Sequence, residues 1–167
     1  MAASVSSGSD TRNTPIRFAH SVDVEPLARL INLAFVVERP FIEGERIDPL
    51  GVRAYMEKGK FLVAEDVDGL AGCVYLELRG ERGYLGLLGV EPGRQGTGLG
   101  RKLMEAAEDY FRAVHCHTID LQIISPREPL PGFYAHLGYT QTGTAPFAAD
   151  VPLKVPCHYI LMSKSLG

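Results

Sequence analysis

The segment with the clearest chemical meaning is Glu91-Pro92-Gly93-Arg94-Gln95-Gly96-Thr97-Gly98-Leu99-Gly100-Arg101-Lys102, in which four glycines lead into a helical pattern whose first turn carries two cations. Amides at a helix start have no partner one turn back and sit at the positive end of the helix dipole, and glycine lets an anion approach that backbone. The pattern therefore predicts a pyrophosphate-like anion on the backbone of Gly96, Thr97, Gly98, Leu99 and Gly100, with Arg101 and Lys102 adding charge. A tight turn feeding a helix is the plainer alternative.

Spacing separates the phosphate ligands. A nucleoside triphosphate loop needs a glycine, four residues, then Gly-Lys-Ser/Thr, and Gly93 and Gly98 are followed by Leu99. A dinucleotide fingerprint needs its third glycine one place later than Gly100, although Asp120 lies about 20 residues on, where a ribose-binding acid is wanted. Against that reading, Asp120 falls inside a predicted strand, and antiparallel hairpins precede the unit.

What remains is Gln95-x-x-Gly98-x-Gly100 after a buried strand, which resembles the acetyl-CoA signature of the GNAT superfamily of N-acetyltransferases. Phe133-Tyr134-Ala135-His136-Leu137-Gly138-Tyr139 resembles that superfamily's second motif, and the two occur in the right order. The resemblance covers roughly Ile16 to Leu166. It implies a single α/β domain with a mixed, mostly antiparallel central sheet flanked by helices. It also implies acetyl-CoA as cosubstrate, no metal, and acetyl transfer to a primary amine by direct attack in a ternary complex. The backbone of Leu88, Gly89 and Val90 would then meet the pantetheine arm, with Gln95, Gly96, Thr97, Gly98, Leu99, Gly100, Arg101 and Lys102 around the phosphates.

Amide formation from a thioester needs a neutral amine, a site for the oxyanion and a proton for the departing thiolate. By resemblance, Tyr134 is the acid that protonates the sulfur and also contacts the cofactor. Several histone-acetylating relatives carry a glutamate base where this chain has Tyr84, which points away from a histone acceptor. Candidate bases are Glu43 or Glu45 in the early loop, Glu77 on a strand, and His158 on the last strand. Glu38, Glu43 and Glu45 also suit a cationic amine, with Phe41 and Phe147 as apolar walls, while Arg127 and Glu128 flank the approach to the second motif. His115-Cys116-His117 with Cys157-His158 matches no standard zinc spacing.

These residues need a scaffold. Residues 1–14 read as a disordered tail and 15–167 as one acetyltransferase domain. Ile16 to Ala19 reads as a strand, and Leu27, Leu30, Ile31 and Ala34 line one face of a helix capped at Asp23. A charged loop leads to a second helix from Pro49 to Lys58, with Gly59 as a left-handed stop. Strands follow at Phe61 to Glu65, Cys73 to Leu78 and Tyr84 to Val90, the last read as central and buried on both faces. Then come a helix through Phe111, a strand from Thr118 to Ile124, a short helix at Phe133 to His136 ended by Gly138, and strands at Tyr139 to Thr142 and His158 to Met162.

Composition sets the outer limits. With 167 residues, 22% charged and 46% hydrophobic, the chain fits one ordinary globular domain. Its 17 basic residues against 20 acidic give a net charge of −3, which disfavours nucleic acid or an anionic membrane as partner. No run of about 18 apolar residues is present, and the 3 cysteines form no disulfide framework, so a cytoplasmic protein with reduced thiols is expected. Partners reduce to a small-molecule or peptide amine, with the chain a monomer or homodimer. Alternatives are another acyl-CoA donor, a protein N-terminus as acceptor, or a catalytically silent CoA-binding sensor.

Overall fold

The structure, a computed structural model, describes residues 13–147 and 151–167. Seven strands, β1 (Ile16–Phe18), β2 (Lys60–Asp66), β3 (Gly69–Arg79), β4 (Arg82–Val90), β5 (Thr118–Ile124), β6 (Thr140–Pro146) and β7 (His158–Ser165), form one sheet in the order β1-β2-β3-β4-β5-β7-β6. Every pairing is antiparallel except β4 with β5. Four α-helices, α1 (Val24–Ala34), α2 (Pro49–Lys58), α3 (Leu99–Ala113) and α4 (Pro129–His136), cover the two faces.

Each helix is placed by its apolar stripe. Leu27, Ala28, Leu30 and Ile31 of α1 are buried and join Val52 of α2 over Phe61, Val63, Cys73 and Tyr75. On the opposite face Leu99, Leu103, Met104, Ala107 and Phe111 of α3 meet Val74, Leu76, Leu85 and Ile119, together with Tyr134 of α4. Truncating a fully buried leucine such as Leu27 or Leu103 to alanine removes about 2–5 kcal/mol.

The predicted end of α2 differs. Gly59 has φ −158, extended backbone open to any residue. Glycine is required there by proximity instead, because an added Cβ would lie 2.3 Å from the Leu76 carbonyl oxygen. Gly138 after α4 does adopt φ +96. Asp23 gives α1 no side-chain cap; it accepts from the His20 N–H at 2.7 Å and pairs with Arg17.

β4 also departs from expectation. It is the central strand, but burial alternates along it between fully and half-buried residues, so it is not covered on both faces. Cys73 pairs with Gly89 and Tyr75 with Gly86, leaving Leu87 and Leu88 opposite Val74. One extra residue makes this a bulge, and Leu87 takes φ +49, a conformation unusual for a branched side chain. Leu85 and Leu88 pack toward α3 whereas Leu87 packs toward α1, so the inward-outward alternation breaks at this point.

Beyond the bulge the sheet opens. β4 and β5 pair only from Arg82 with Thr118 to Tyr84 with Asp120. Asp120 receives two hydrogen bonds from Arg82, at 2.7 and 2.6 Å, and one from the Ser163 hydroxyl at 2.5 Å. The acid once matched to a ribose is thus an anchor at the closed end of the gap.

Candidate active site

Where β4 and β5 separate, a cavity of about 570 Å³ extends from Leu85–Leu88 and Leu121–Ile124 toward the loop after α1. Its far wall is two segments distant in sequence. Ile42 bridges Leu153, the Glu43 N–H donates to the Pro152 carbonyl at 3.0 Å, and the Lys154 N–H donates to the Phe41 carbonyl at 2.8 Å. These three contacts clasp the early loop to the segment before β7.

At the other end, β4 runs into the glycine loop. Gly98 caps α3 with φ +88, and Gly96 has φ +79, both in the left-handed region that favours glycine. An added Cβ at either would meet no atom within 4 Å, so the loop's outer surface is open. The first helical bond is Lys102 N–H to the Gly98 carbonyl at 3.1 Å, which leaves the N–H groups of Leu99, Gly100 and Arg101 ahead of it. An open glycine cradle with amides at a helix start fits a pyrophosphate.

The loop's own side chains hold its shape. Gln95 Nε2 donates to the Val90 carbonyl at 3.2 Å, and Thr97 Oγ1 donates to the Arg94 carbonyl at 2.5 Å. Arg94 reaches Asp66 at 2.5 Å, Glu91 at 3.0 Å and Asp68 at 3.2 Å, tying the β2–β3 turn to the loop. Lys102 Nζ donates to the Thr14 carbonyl at 2.6 Å, so it packs against the start of the fold, while Arg101 is exposed. Of the predicted tail, residues 1–12 lie outside the described residues and Thr14 is buried.

Tyr134 lines the cavity from α4. It is 7% exposed, and burial pushes its phenol well above the usual tyrosine range, against a smaller opposing pull from Arg127. Its hydroxyl has no hydrogen-bond partner among the described residues, leaving the proton available to a ligand. The ring packs edge-on against Phe133 at 5.0 Å and Tyr139 at 5.9 Å. Tyr139 in turn donates to Glu108 at 3.3 Å, which pairs with Lys164 at 2.8 Å, so a buried polar cluster steadies the ring beneath.

The candidate bases separate by position. Glu43 lines the cavity but is exposed on the clasped loop. His158 is exposed at the start of β7 and is not part of the lining; its backbone exchanges bonds with Ser125, and its neighbour Tyr159 enters the wall. Glu77 accepts from Tyr75 at 2.7 Å and pairs with Arg79, outside the lining. Glu38 is the carboxylate that position favours: 8% exposed, lining the cavity, and 3.5 Å from Arg127. Burial raises its carboxyl above the ordinary range, with Arg127 and Arg46 opposing. Sequence reading placed Glu38 among three loop acids suited to a cationic amine, with no local sign that it turns inward, and its neighbours Val36 and Val37 are exposed.

Phe147 stacks on Tyr159 at 4.5 Å, and both line the cavity, whereas Phe41 does not. Tyr84 contributes a ring with the Arg79 guanidinium 3.8 Å above it. Among the described residues, no group of three His, Cys, Asp or Glu is arranged to hold a metal.

The Acetyltransferase (GNAT) family matches residues 26–139. Mycothiol acetyltransferase of Beutenbergia cavernae is 35% identical over 82 residues, 48% of this chain and 28% of that protein. Its counterpart in Kineococcus radiotolerans is 33% identical over 92 residues, 54% of this chain and 29% of that protein. The matched part is thus under a third of these relatives' own length. Among solved structures, a Salmonella typhimurium protein with its cofactor acetyl-CoA superposes with TM-score 0.74 at 22% identity, covering 92% of this chain and 94% of that one. The Escherichia coli ribosomal-protein-S18-alanine N-acetyltransferase gives TM-score 0.70 at 16% identity over the same shares, 92% and 94%.

Proposed function

We propose that this chain, which belongs to the acetyltransferase (GNAT) family, transfers an acetyl group from acetyl-CoA to the primary amine of a small molecule. The observation that carries the reading is the opening between β4 and β5, with the glycine cradle beyond one end and a buried, proton-bearing Tyr134 on its wall. A thioester lying along β4 brings its sulfur toward that phenol and its acyl carbon toward the clasped end. The mycothiol acetyltransferase relatives support a small-molecule acceptor, and a neighbour solved with acetyl-CoA supports the donor.

In the chemical step the amine lone pair forms the new C–N bond at the thioester carbonyl, the C–S bond breaks, the thiolate takes the Tyr134 proton, and the proton that the new amide nitrogen sheds returns to the Tyr134 phenolate. The ammonium proton leaves first to a carboxylate, for which Glu38 is better enclosed than Glu43. A phenol pushed up by burial stays protonated at neutral pH, as a general acid must. Proximity in a ternary complex supplies the remainder, with no cysteine-bound intermediate: Cys73 and Cys116 are buried, and burial raises the pKa of all three thiols. No helix among the described residues is long and apolar enough to cross a membrane, and we place the activity in the cytoplasm.

The test is free-thiol release from acetyl-CoA across polyamines, amino acids, aminosugars, arylalkylamines and N-terminal peptides. Amine-dependent release supports the transferase. Tight acetyl-CoA binding with no release from any amine overturns it in favour of a CoA-binding sensor.

A further inference from the structure

The acceptor end of the cavity holds charges of both signs in an apolar setting. Among the described residues Glu38 is its one buried carboxylate, and its 3.5 Å separation from Arg127 is long for a charge-assisted pair. Arg46 also lines the cavity, with its guanidinium 5.6 Å from the centre of the Phe35 ring and no salt-bridge partner among the described residues. Glu43 and Glu45 are exposed on the loop, where water screens them. The stacked Phe147 and Tyr159 rings supply an apolar surface in the same space.

An ammonium beside Glu38 competes with Arg127, whose side chain is 21% exposed, and so sets two enclosed positive charges against one buried carboxylate, while Arg46 stands at the exposed rim. Desolvated charge needs a partner. A hydrocarbon amine provides none, whereas an acceptor with its own carboxylate restores the balance.

Resting on the transferase reading above, we infer that the acceptor is a zwitterion, an α-amino acid or close analogue with an aromatic or large apolar side chain. Its ammonium meets Glu38, its carboxylate meets Arg46 and Arg127, and its apolar body lies against Phe147 and Tyr159.

The test compares phenylalanine, tyrosine, tryptophan, leucine and methionine with their amides and their decarboxylated amines. Calorimetric binding to the full chain saturated with CoA is measured beside kcat/KM for thiol release with acetyl-CoA. At least one amino acid should exceed both its amide and its amine about ten-fold in affinity and in kcat/KM. Arg46→Leu, an exposed position whose fold is checked by circular dichroism, should erase that preference. Glu38→Gln should weaken the amino acid and the bare amine alike, in calorimetric affinity and KM through the lost ammonium contact and in kcat through the lost base. Equal binding of acids, amides and amines, or no binding of any, overturns the inference. Selective binding without release keeps it and sinks the transferase reading, and release from all amines alike does the reverse.

Discussion

The two ends of the cavity are built on different plans. The proposed donor end is one continuous stretch that offers mainly backbone: β4, a glycine loop, and the first turn of α3, held in shape by Gln95, Thr97 and Arg94. The proposed acceptor end is assembled from side chains at positions 38, 46, 127, 147 and 159, brought together by tertiary packing and by the clasp between Ile42 and Leu153. Backbone recognition suits a ligand that never changes. Side-chain recognition lets a single substitution redirect specificity while the scaffold stays, which is where function diverges among proteins of one fold.

Substitutions should divide along the same line. The largest effect is expected at the junction: Tyr134→Phe should lower kcat about 100-fold or more while leaving acetyl-CoA affinity within two-fold, as steady-state rates and calorimetry would read. Equal losses in both would make Tyr134 a packing residue for the whole gap. At the donor end, Gly98→Val forces a branched residue into φ +88 and crowds the cradle, so acetyl-CoA affinity should drop about ten-fold or more with acceptor KM little changed. A change in acceptor KM of the same size would erase the distinction between the ends.

Smaller is Arg94→Ala. It strips the bond partner of Asp66, itself largely covered, and should cost about 1–2 kcal/mol in urea unfolding and a few-fold in acetyl-CoA affinity. The subtlest effect concerns Glu38 and pH. Its folded-state pKa is raised, so folding is favoured while the carboxyl is protonated, and that contribution fades as pH rises through the folded value. The stability of Glu38→Gln relative to the natural chain should therefore improve in thermal melts as pH rises above the ordinary glutamate value of 4.5 and level off once the buried carboxyl is ionised. A flat difference would mean that Arg127 offsets burial fully.

The contrast also explains what could be read from sequence. Gln95, Gly98, Gly100 and the Phe133-Tyr134 pair stand at fixed local spacings because backbone geometry dictates them, so the glycine loop at the start of α3 and the order of elements were visible in the chain. Glu38 was not singled out, because a carboxylate in a charged loop looks the same whether it faces water or a cavity; only packing of the loop against the segment before β7 decides. Gly59 misled for a related reason: glycine after a helix signals a left-handed turn, but here the Leu76 carbonyl excludes a side chain from an extended residue. The continuous apolar run of β4 suggested a strand covered on both faces. Its extra residue at Leu87 breaks alternation in a way that composition cannot report.

That extra residue also gives the molecule an internal timepiece. Cys73 lies wholly buried beneath it, its Sγ–H donating to the Leu87 carbonyl at 3.4 Å and its pKa pushed up to about 12 by burial. A thiol so placed is inert to alkylating reagents until β3 and β4 part. With Cys116 and Cys157 changed to serine, the labelling rate of Cys73 counts how often the central sheet breathes at its irregular point. Any ligand that bridges the gap beside β4 should slow that count.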